Sequence, residues 1–366
     1  MPLPFILAGA ALASAAYGAK KGYDGYQSHS QADDIVKIAK QRYDREREAF
    51  DKQERATTVA LAMLGKRELE IGKRFGEFKI LADKLQQQLN ADRQNKLDIN
   101  IPKHELQKIE DYSYTAIGVL GTVAGASAAG AAAGFAVYGG VMALGAASTG
   151  TAISSLAGVA ATNATLAAIG GGSLATGGLG MAGGTAILGA AVAGPVLAIA
   201  GWAYNSHGEE ALKNARKADN EANEAIQKLE RAIEHLGQTK AYVRKIRSTL
   251  TSIYNQFDQY FDRLKDIDSH LQDLRNREID VKAELAKLND SIIRIIENGY
   301  ALATILVDVI TTPIFTVKKV DGQVVMDENG MPMMETDAEG SMKLNDSELD
   351  KQLTKARSDA GDVETA

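Results

Sequence analysis

The sequence predicts an all-α protein in which long, charge-rich helices flank an uncharged segment rich in glycine and alanine. Hydrophobic residues make up 45% of the 366-residue chain, but aromatic residues only 6%. The six prolines are absent from residues 103–194 and 196–312. Apolar residues recur in steps of three and four along the charged regions. Long stretches without proline and this periodicity are both typical of helices.

The first element, residues 1–30, begins with an apolar run from Pro2 to Ala19, which Lys20 and Lys21 follow. A cleaved signal peptide carries its basic residues before the apolar core, so this order disfavours one. The run is of marginal length for crossing a bilayer. Two interpretations stay open: an uncleaved membrane or interfacial segment, or a buried apolar helix. The sequence 22–25, Gly-Tyr-Asp-Gly, predicts a turn after it.

Residues 31–111 are predicted to be a long amphipathic helix region. Asp33 or Asp34 is expected to cap its start, and Pro102 marks a break after the main helix. Its apolar positions follow steps of four and three, which places them on one helical stripe. The stripe consists of Ile71, Phe75, Phe78, Ala82, Leu85 and Leu89.

Residues 112–208 contain no Lys, Arg, Asp or Glu and hold 22 of the 35 glycines. A bilayer-spanning helix needs about 20 apolar residues, so this tract could supply up to about four spans. Small residues four positions apart allow helices to approach closely in lipid. The glycines assigned to membrane insertion, helix packing or the turn between helices are Gly121, Gly125, Gly130, Gly134, Gly170, Gly171, Gly172, Gly180 and Gly184.

Aromatic residues stand at both ends of this tract, where a membrane-crossing unit has its interfacial belt. Tyr112 and Tyr114 open it, and Trp202 and Tyr204 close it. The alternative is a core segment that lies between amphipathic helices in a soluble protein. Because Ala and Gly are only weakly hydrophobic, a soluble form that later releases the tract into a membrane is also consistent with the sequence.

Residues 209–312 are predicted to form further long helices with heptad packing. Glu278 and Gly299 interrupt the pattern and are candidate hinges. The seam is expected to contain Ile246, Leu250, Ile253, Phe257, Tyr260, Leu264, Ile267, Leu271, Leu274, Leu285, Leu288 and Ile292.

The last two elements are a small β-hairpin at 313–334 and an acidic tail at 335–366. Asp321 and Gly322 separate two short β-prone runs, which predicts a tight hairpin turn. Between Asp327 and Glu364 there are eleven acidic and four basic residues, a balance of −7, which leaves the rest of the chain at +1 of the formal net charge of −6. This composition predicts disorder.

Composition and motifs exclude several function classes. The chain has no cysteine, which rules out disulfides and thiolate chemistry. No phosphate-binding loop or catalytic motif occurs, and the five histidines lack metal-ligand spacing, with His235 and His270 expected to be solvated. The glycine string 178–183 lacks the strand and acidic residue of a dinucleotide site. We therefore predict no enzyme activity, no catalytic, metal or cofactor-binding residues and, without a basic domain, no nucleic-acid partner.

The order of amphipathic helix, apolar segment and further heptad helices over residues 31–310 resembles the α-helical pore-forming toxins of the cytolysin A and haemolysin BL type. In that family the apolar segment packs on a helical bundle and enters the membrane as an oligomer forms. The string 169–180, Ile-Gly-Gly-Gly-Ser-Leu-Ala-Thr-Gly-Gly-Leu-Gly, is similar to the glycine-rich membrane segment of interferon-induced proteins of the ISG12 type. Both resemblances imply membrane insertion.

Two functional hypotheses follow. In the first, the protein inserts its glycine-rich segment into a lipid membrane, forms a homo-oligomer and permeabilises or remodels the bilayer. A soluble form, cytoplasmic or secreted, would precede insertion. In the second, the segment is a constitutive anchor and the coiled coil recruits a partner protein.

Overall fold

The computed structural model describes residues 21–90, 101–122, 132–137, 208–325, 332–337 and 341–365. These residues are mostly helical, with a small antiparallel hairpin near the carboxyl terminus, which confirms the all-α class and the hairpin. The helices are α1 (Lys21–Asn90), α2 (Lys103–Thr122), α3 (Gly208–Asn276), α4 (Lys282–Ile310) and α5 (Asp346–Thr365). The strands are β1 (Lys319–Val320) and β2 (Gln323–Val324). Residues 132–137 form a further short helical segment.

Helix α1 begins ten residues earlier than the sequence predicts. It starts at Lys21 and continues through Gly22 and Gly25, so the turn predicted there is wrong. Asp33 and Asp34 lie inside the helix and do not cap it. A glycine costs a helix about 1 kcal/mol, but adding a turn to an existing helix requires no new nucleation. Two glycines alone are therefore a weak stop signal.

The chain divides into two compact units, and the first comprises residues 1–49 and 192–230. Its described part consists of the amino-terminal portions of α1 and α3. Ala32 on α1 packs against Ala211 and Ala215 on α3. Ten residues further along α1, the Arg42 guanidinium pairs with the Asp219 carboxylate on α3. Since both partners advance in the same direction, the two helices run parallel in this unit.

The second unit comprises residues 50–191 and 231–366. Within it, α1 and α3 are again parallel. The Arg74 guanidinium donates to Asp258 at 2.8 Å, and Lys84 donates to Asp268 at 2.7 Å; both pairs have a sequence separation of 184. A constant separation is the signature of parallel helices in fixed register.

Helix α2 packs antiparallel to α1. The pair Lys79–Glu110, at 3.3 Å, lies towards the carboxyl end of α1 and the amino end of α2. Gly76 lies before Lys79 on α1, and it faces Ser113, which lies after Glu110 on α2. Pro102 directly precedes α2 and accepts the hydrogen bond from the Glu105 amide at 3.0 Å, so the predicted break lies at a helix start.

Helices α3 and α4 form an antiparallel pair joined by the turn 277–281. Glu278, a predicted hinge position, lies in this turn with a φ of 58°. The region 209–312 therefore divides into two helices at this position. Asn298 of α4 donates to the Tyr260 hydroxyl of α3 at 3.3 Å. Closer to the turn, Glu284 lies 3.6 Å from His270.

The core of the second unit is an aromatic cluster to which α1, α3 and α4 contribute. Phe78 of α1 is at its centre, with ring centroids 5.2 Å from Phe257, 5.7 Å from Phe261 and 5.1 Å from Tyr300. Gly299 lies against the Phe78 ring, leaving no space for a side chain. The buried residues of α1 include every member of the predicted stripe, which is confirmed: Ile71, Phe75, Phe78, Ala82, Leu85 and Leu89.

The predicted α3–α4 seam residues have two levels of burial. Those that are buried are Ile246, Leu250, Ile253, Phe257, Leu264, Leu271 and Ile292, and those that are half-buried are Tyr260, Ile267, Leu274, Leu285 and Leu288. At two positions the following residue, Phe261 or Asp268, is the buried one. The buried stripe therefore shifts by one residue at these two positions and returns to the predicted residues at Leu264 and Leu271.

The acidic tail is a folded part of the second unit, so the prediction of disorder is wrong over most of its length. Residues Leu349, Leu353 and Ala360 of α5 are buried. Arg357 donates to the Thr249 hydroxyl of α3 at 2.7 Å. Helix α5 is amphipathic despite its acidity, and its apolar face provides the burial that offsets the entropy of ordering.

The hairpin extends into a small β-layer. Asp321 and Gly322 both have positive φ, 51° and 80°, as a two-residue type I′ turn requires. Isolated antiparallel bridges then join the flanking segments: Phe315 with Leu344, Val317 with Met334, and Thr336 with Met342.

His235 of α3 packs under this layer rather than lying in solvent as the sequence predicts. Its ring centroid is 6.5 Å from that of Phe315, and its Nε2 is buried without a hydrogen-bond partner. Burial lowers the pKa of His235, although Asp337 and the Met342 backbone act in the opposite direction.

Acidification should weaken the contact between α3 and the β-layer. Since the folded state favours neutral His235, its contribution to stability is present above the unfolded pKa of about 6.5. The contribution is lost as the pH falls through the lower folded value. We expect urea midpoints of His235→Leu to fall less between about pH 7.5 and pH 5 than those of the native protein. Ile80→Leu, at a position on α1 that is 72% exposed and does not titrate, is the control and should retain the native pH dependence.

Candidate functional site

The junction between α1 and α2 contains the first residues of the uncharged tract, and several of its residues are small. Gly72 of α1 has no room for a side chain, because Ala116 and the Tyr112 ring of α2 occupy the space. A Cβ on Gly76 would lie 2.8 Å from the Ser113 hydroxyl oxygen. Gly65, two turns earlier, lies against the backbone of Ala132 in the short helical segment. The three glycines form what we call the glycine groove of α1.

The sequence interpretation missed this groove. Gly65, Gly72 and Gly76 are separated by seven and four residues, which puts them on one helix face. The spacing is the available signal. The residues around these glycines are charged, which obscures this spacing. The sequence predicts close helix approach through glycine only in the uncharged tract.

Tyr112 lies in the glycine groove. Its hydroxyl donates to the backbone carbonyl of Glu68 at 3.0 Å. Its ring contacts Phe75 at 6.3 Å and Phe135 at 6.1 Å between centroids. Tyr112 is fully buried, whereas Tyr114 is 60% exposed. Of the two tyrosines that open the tract, only Tyr114 is exposed at the surface.

Glu68 is a carboxyl buried within the same groove, between Gly65 and Gly72. Only 3% of its surface is exposed. Desolvation raises its pKa well above the ordinary value, because a buried carboxylate loses its hydration. The titratable group that faces it across the junction is Tyr112, itself a neutral phenol. The junction between α1 and α2 is therefore most favourable when Glu68 is protonated.

The Glu68 junction should lose stability as the pH rises. The folded state favours protonated Glu68, so the contribution of this residue to folding stability is fully present below the unfolded pKa of about 4.3. It declines as the pH rises through the higher folded value. We expect Glu68→Gln to have a higher urea midpoint than the native protein at about pH 8, with the difference vanishing towards pH 4. Ile80→Gln, at an exposed position of the same helix that does not titrate, is the control and should change the midpoint by the same amount at both pH values.

The opposite side of α2 is exposed and apolar in its carboxyl-terminal half. Ile117 is 48% and Leu120 is 39% exposed. Gly121, one of the predicted packing glycines, faces open space, because a Cβ added to it would meet no heavy atom within 4 Å. Together with Tyr114, these residues form what we call the apolar face of α2.

The amino-terminal half of α2 is polar and attached to α4. Lys108 pairs with Asp308, and the Thr304 hydroxyl donates to the Glu105 carboxylate at 3.2 Å. Asp111 is the last charged residue before the uncharged tract. Helix α2 therefore changes from an ion-paired end to an apolar end within its 20 residues.

The other predicted insertion residues have mixed outcomes. Gly134 lies buried in the 132–137 segment. The remaining packing glycines and interfacial aromatics are outside the described residues: Gly125, Gly130, Gly170, Gly171, Gly172, Gly180, Gly184, Trp202 and Tyr204. Their roles stay predictions.

Among the helices in the described ranges, none combines the length and the apolar character needed to cross a bilayer. Helices α1 and α3 are long, but charged residues occur throughout both. Most of the uncharged tract, and the apolar amino terminus, lie outside these ranges.

A scan against protein-family models and searches of curated proteins and of solved structures find no match to this chain. Its function is therefore inferred from its own residues.

Proposed function

We propose that this protein acts on a lipid membrane, inserting part of the tract from Tyr112 to Gly208 and permeabilising or remodelling the bilayer as an oligomer. The observation that carries the proposal is the absence of Lys, Arg, Asp and Glu over this whole tract. Charged residues are costly in a hydrocarbon layer, whereas glycine and alanine favour helix contacts there.

The way α2 is held supports a conditional rather than a permanent insertion. Its junction with α1 combines glycines, Ser113 and Ala116, which interlock less than large side chains do, with the buried ring of Tyr112. A buried carboxyl, Glu68, lies within the same junction. Departure of α2 would separate Tyr112 from Phe75. The contacts of Phe78 with Phe257, Phe261 and Tyr300 involve no residue of α2.

Vesicle binding and dye release by the full chain test the proposal. We expect purified protein, soluble without detergent, to bind phosphatidylcholine–phosphatidylglycerol vesicles and release an encapsulated dye. Bound protein should sediment as an oligomer after detergent extraction. Protein that neither binds vesicles nor releases dye would refute the proposal.

The alternative, a constitutive anchor for a partner-recruiting coiled coil, predicts a different distribution. Such a protein stays in the membrane fraction from synthesis onwards and resists carbonate extraction. A soluble pool that converts to a membrane-bound oligomer favours insertion; exclusively membrane-resident protein without dye release favours the anchor.

A further inference from the structure

The apolar face of α2 belongs to the first ten residues of the uncharged tract, which begins at Tyr112. Tyr114, Ile117 and Gly121 follow one another in steps of three and four, so they lie on one side of the helix. The other side packs on α1 through Tyr112 and Ala116, both fully buried. The apolar face is therefore oriented away from the protein core by the same contacts that hold the helix.

The composition of this face suits a bilayer interface. Ile117 and Leu120 are aliphatic, and Tyr114 combines an apolar ring with a polar hydroxyl, as side chains at the headgroup boundary do. No charged side chain follows Asp111 on this helix, so the apolar face itself carries no charge. The ion pair of Lys108 with Asp308 lies towards the other end of α2.

A second copy of the chain is a poorer occupant. Stable protein interfaces bury about 800 Å² on each partner, which three side chains and a glycine cannot provide. A lipid surface has no such requirement, because insertion of a few apolar side chains suffices for reversible binding. The chain also continues from this face into residues 123–207, which carry no Lys, Arg, Asp or Glu.

We propose that the apolar face of α2 is the surface by which the folded protein docks on a lipid bilayer, before the later part of the tract inserts. This inference rests on the proposed membrane function and adds the site and order of first contact. Docking at this face brings the start of the uncharged tract to the bilayer while α1, α3 and α4 retain their packing.

Site-specific fluorescence can locate the docking surface. The chain has no cysteine, so Tyr114→Cys in the full-length protein gives a single site for an environment-sensitive label. On adding vesicles of equal parts phosphatidylcholine and phosphatidylglycerol, we expect a blue shift and a several-fold intensity increase. Ile38→Cys, at a position on α1 that is 55% exposed, is the matched control and should show neither change.

Charge substitution provides the second measurement. Ile117→Glu should lower the vesicle partition coefficient roughly ten-fold or more, because it places a carboxylate at the lipid contact. Ile38→Glu should leave the coefficient unchanged. Tyr114→Ser is a milder variant for the same face, and equal urea midpoints would show that each variant is folded.

The outcomes separate the docking surface from the function. If native protein and Ile117→Glu bind vesicles equally, and the label at position 114 shows no shift, the docking surface is refuted while the membrane function stands. If native protein binds no vesicles at all, both proposals are overturned. Loss of binding in Ile117→Glu and Tyr114→Ser, with Ile38→Glu unaffected, supports the assignment.

Discussion

Replacing Phe78 with alanine should be the most destabilising single truncation in the second unit. The ring contacts Phe257, Phe261 and Tyr300, each with centroids less than 6 Å away, and it fills the space left by Gly299. Deleting a buried phenyl ring typically costs about 3–5 kcal/mol, because transfer energy is lost and a cavity remains. Urea unfolding followed by circular dichroism measures the loss.

Ile80→Ala is the control, since Ile80 lies two residues away on the same helix and is 72% exposed. Its cost should stay within about 0.5 kcal/mol, as for most surface substitutions. Comparable losses in the two variants would show that Phe78 does not organise the aromatic core.

Replacing Gly72 with leucine should release α2 from α1. The added side chain would occupy the space of Ala116 and the Tyr112 ring. Overpacking of this kind costs about 1–3 kcal/mol, and we expect the upper end because both neighbours belong to a helix whose backbone is in close approach. Hydrogen exchange of the α2 amides should accelerate at least ten-fold, while amides of α3 in the second unit remain protected.

If α2 leaves its site during membrane insertion, Gly72→Leu should also bind vesicles and release dye at lower protein concentration than the native chain. Gly361→Leu on α5 is the control, because a Cβ added there would meet no heavy atom within 4 Å. Unchanged protection of α2 in Gly72→Leu would refute the role of the glycine groove, and faster exchange without altered dye release would separate α2 docking from the membrane function.

The helices of this protein were predictable where a periodic apolar stripe accompanies charged residues. The stripe from Ile71 to Leu89 is buried as its spacing predicts, and Asp321-Gly322 forms the expected turn. The errors have local causes. The glycines at 22 and 25 do not interrupt α1, and the acidic composition of α5 concealed the apolar face that Leu349 and Leu353 bury.

The candidate site was predictable only in part. The sequence places Tyr112 and Tyr114 together at the start of the tract. On α2, Tyr112 is buried in the core and Tyr114 is exposed at the surface. Glu68 follows Lys66 and Arg67 in sequence, and nothing in that charged context indicates burial. Its environment is created by α2, which is 35 or more residues away along the chain.

By itself the sequence determined the helical class, the hairpin turn and the uncharged tract, because each depends on residues that are close together in the chain. Only the tertiary structure decided which face of α2 remains exposed, which glycines of α1 contact it and where α5 packs. These depend on contacts between helices far apart in sequence, which local periodicity does not encode. The uncharged tract is the basis of the proposed membrane function, and the packing of α2 is the basis of the proposed docking surface.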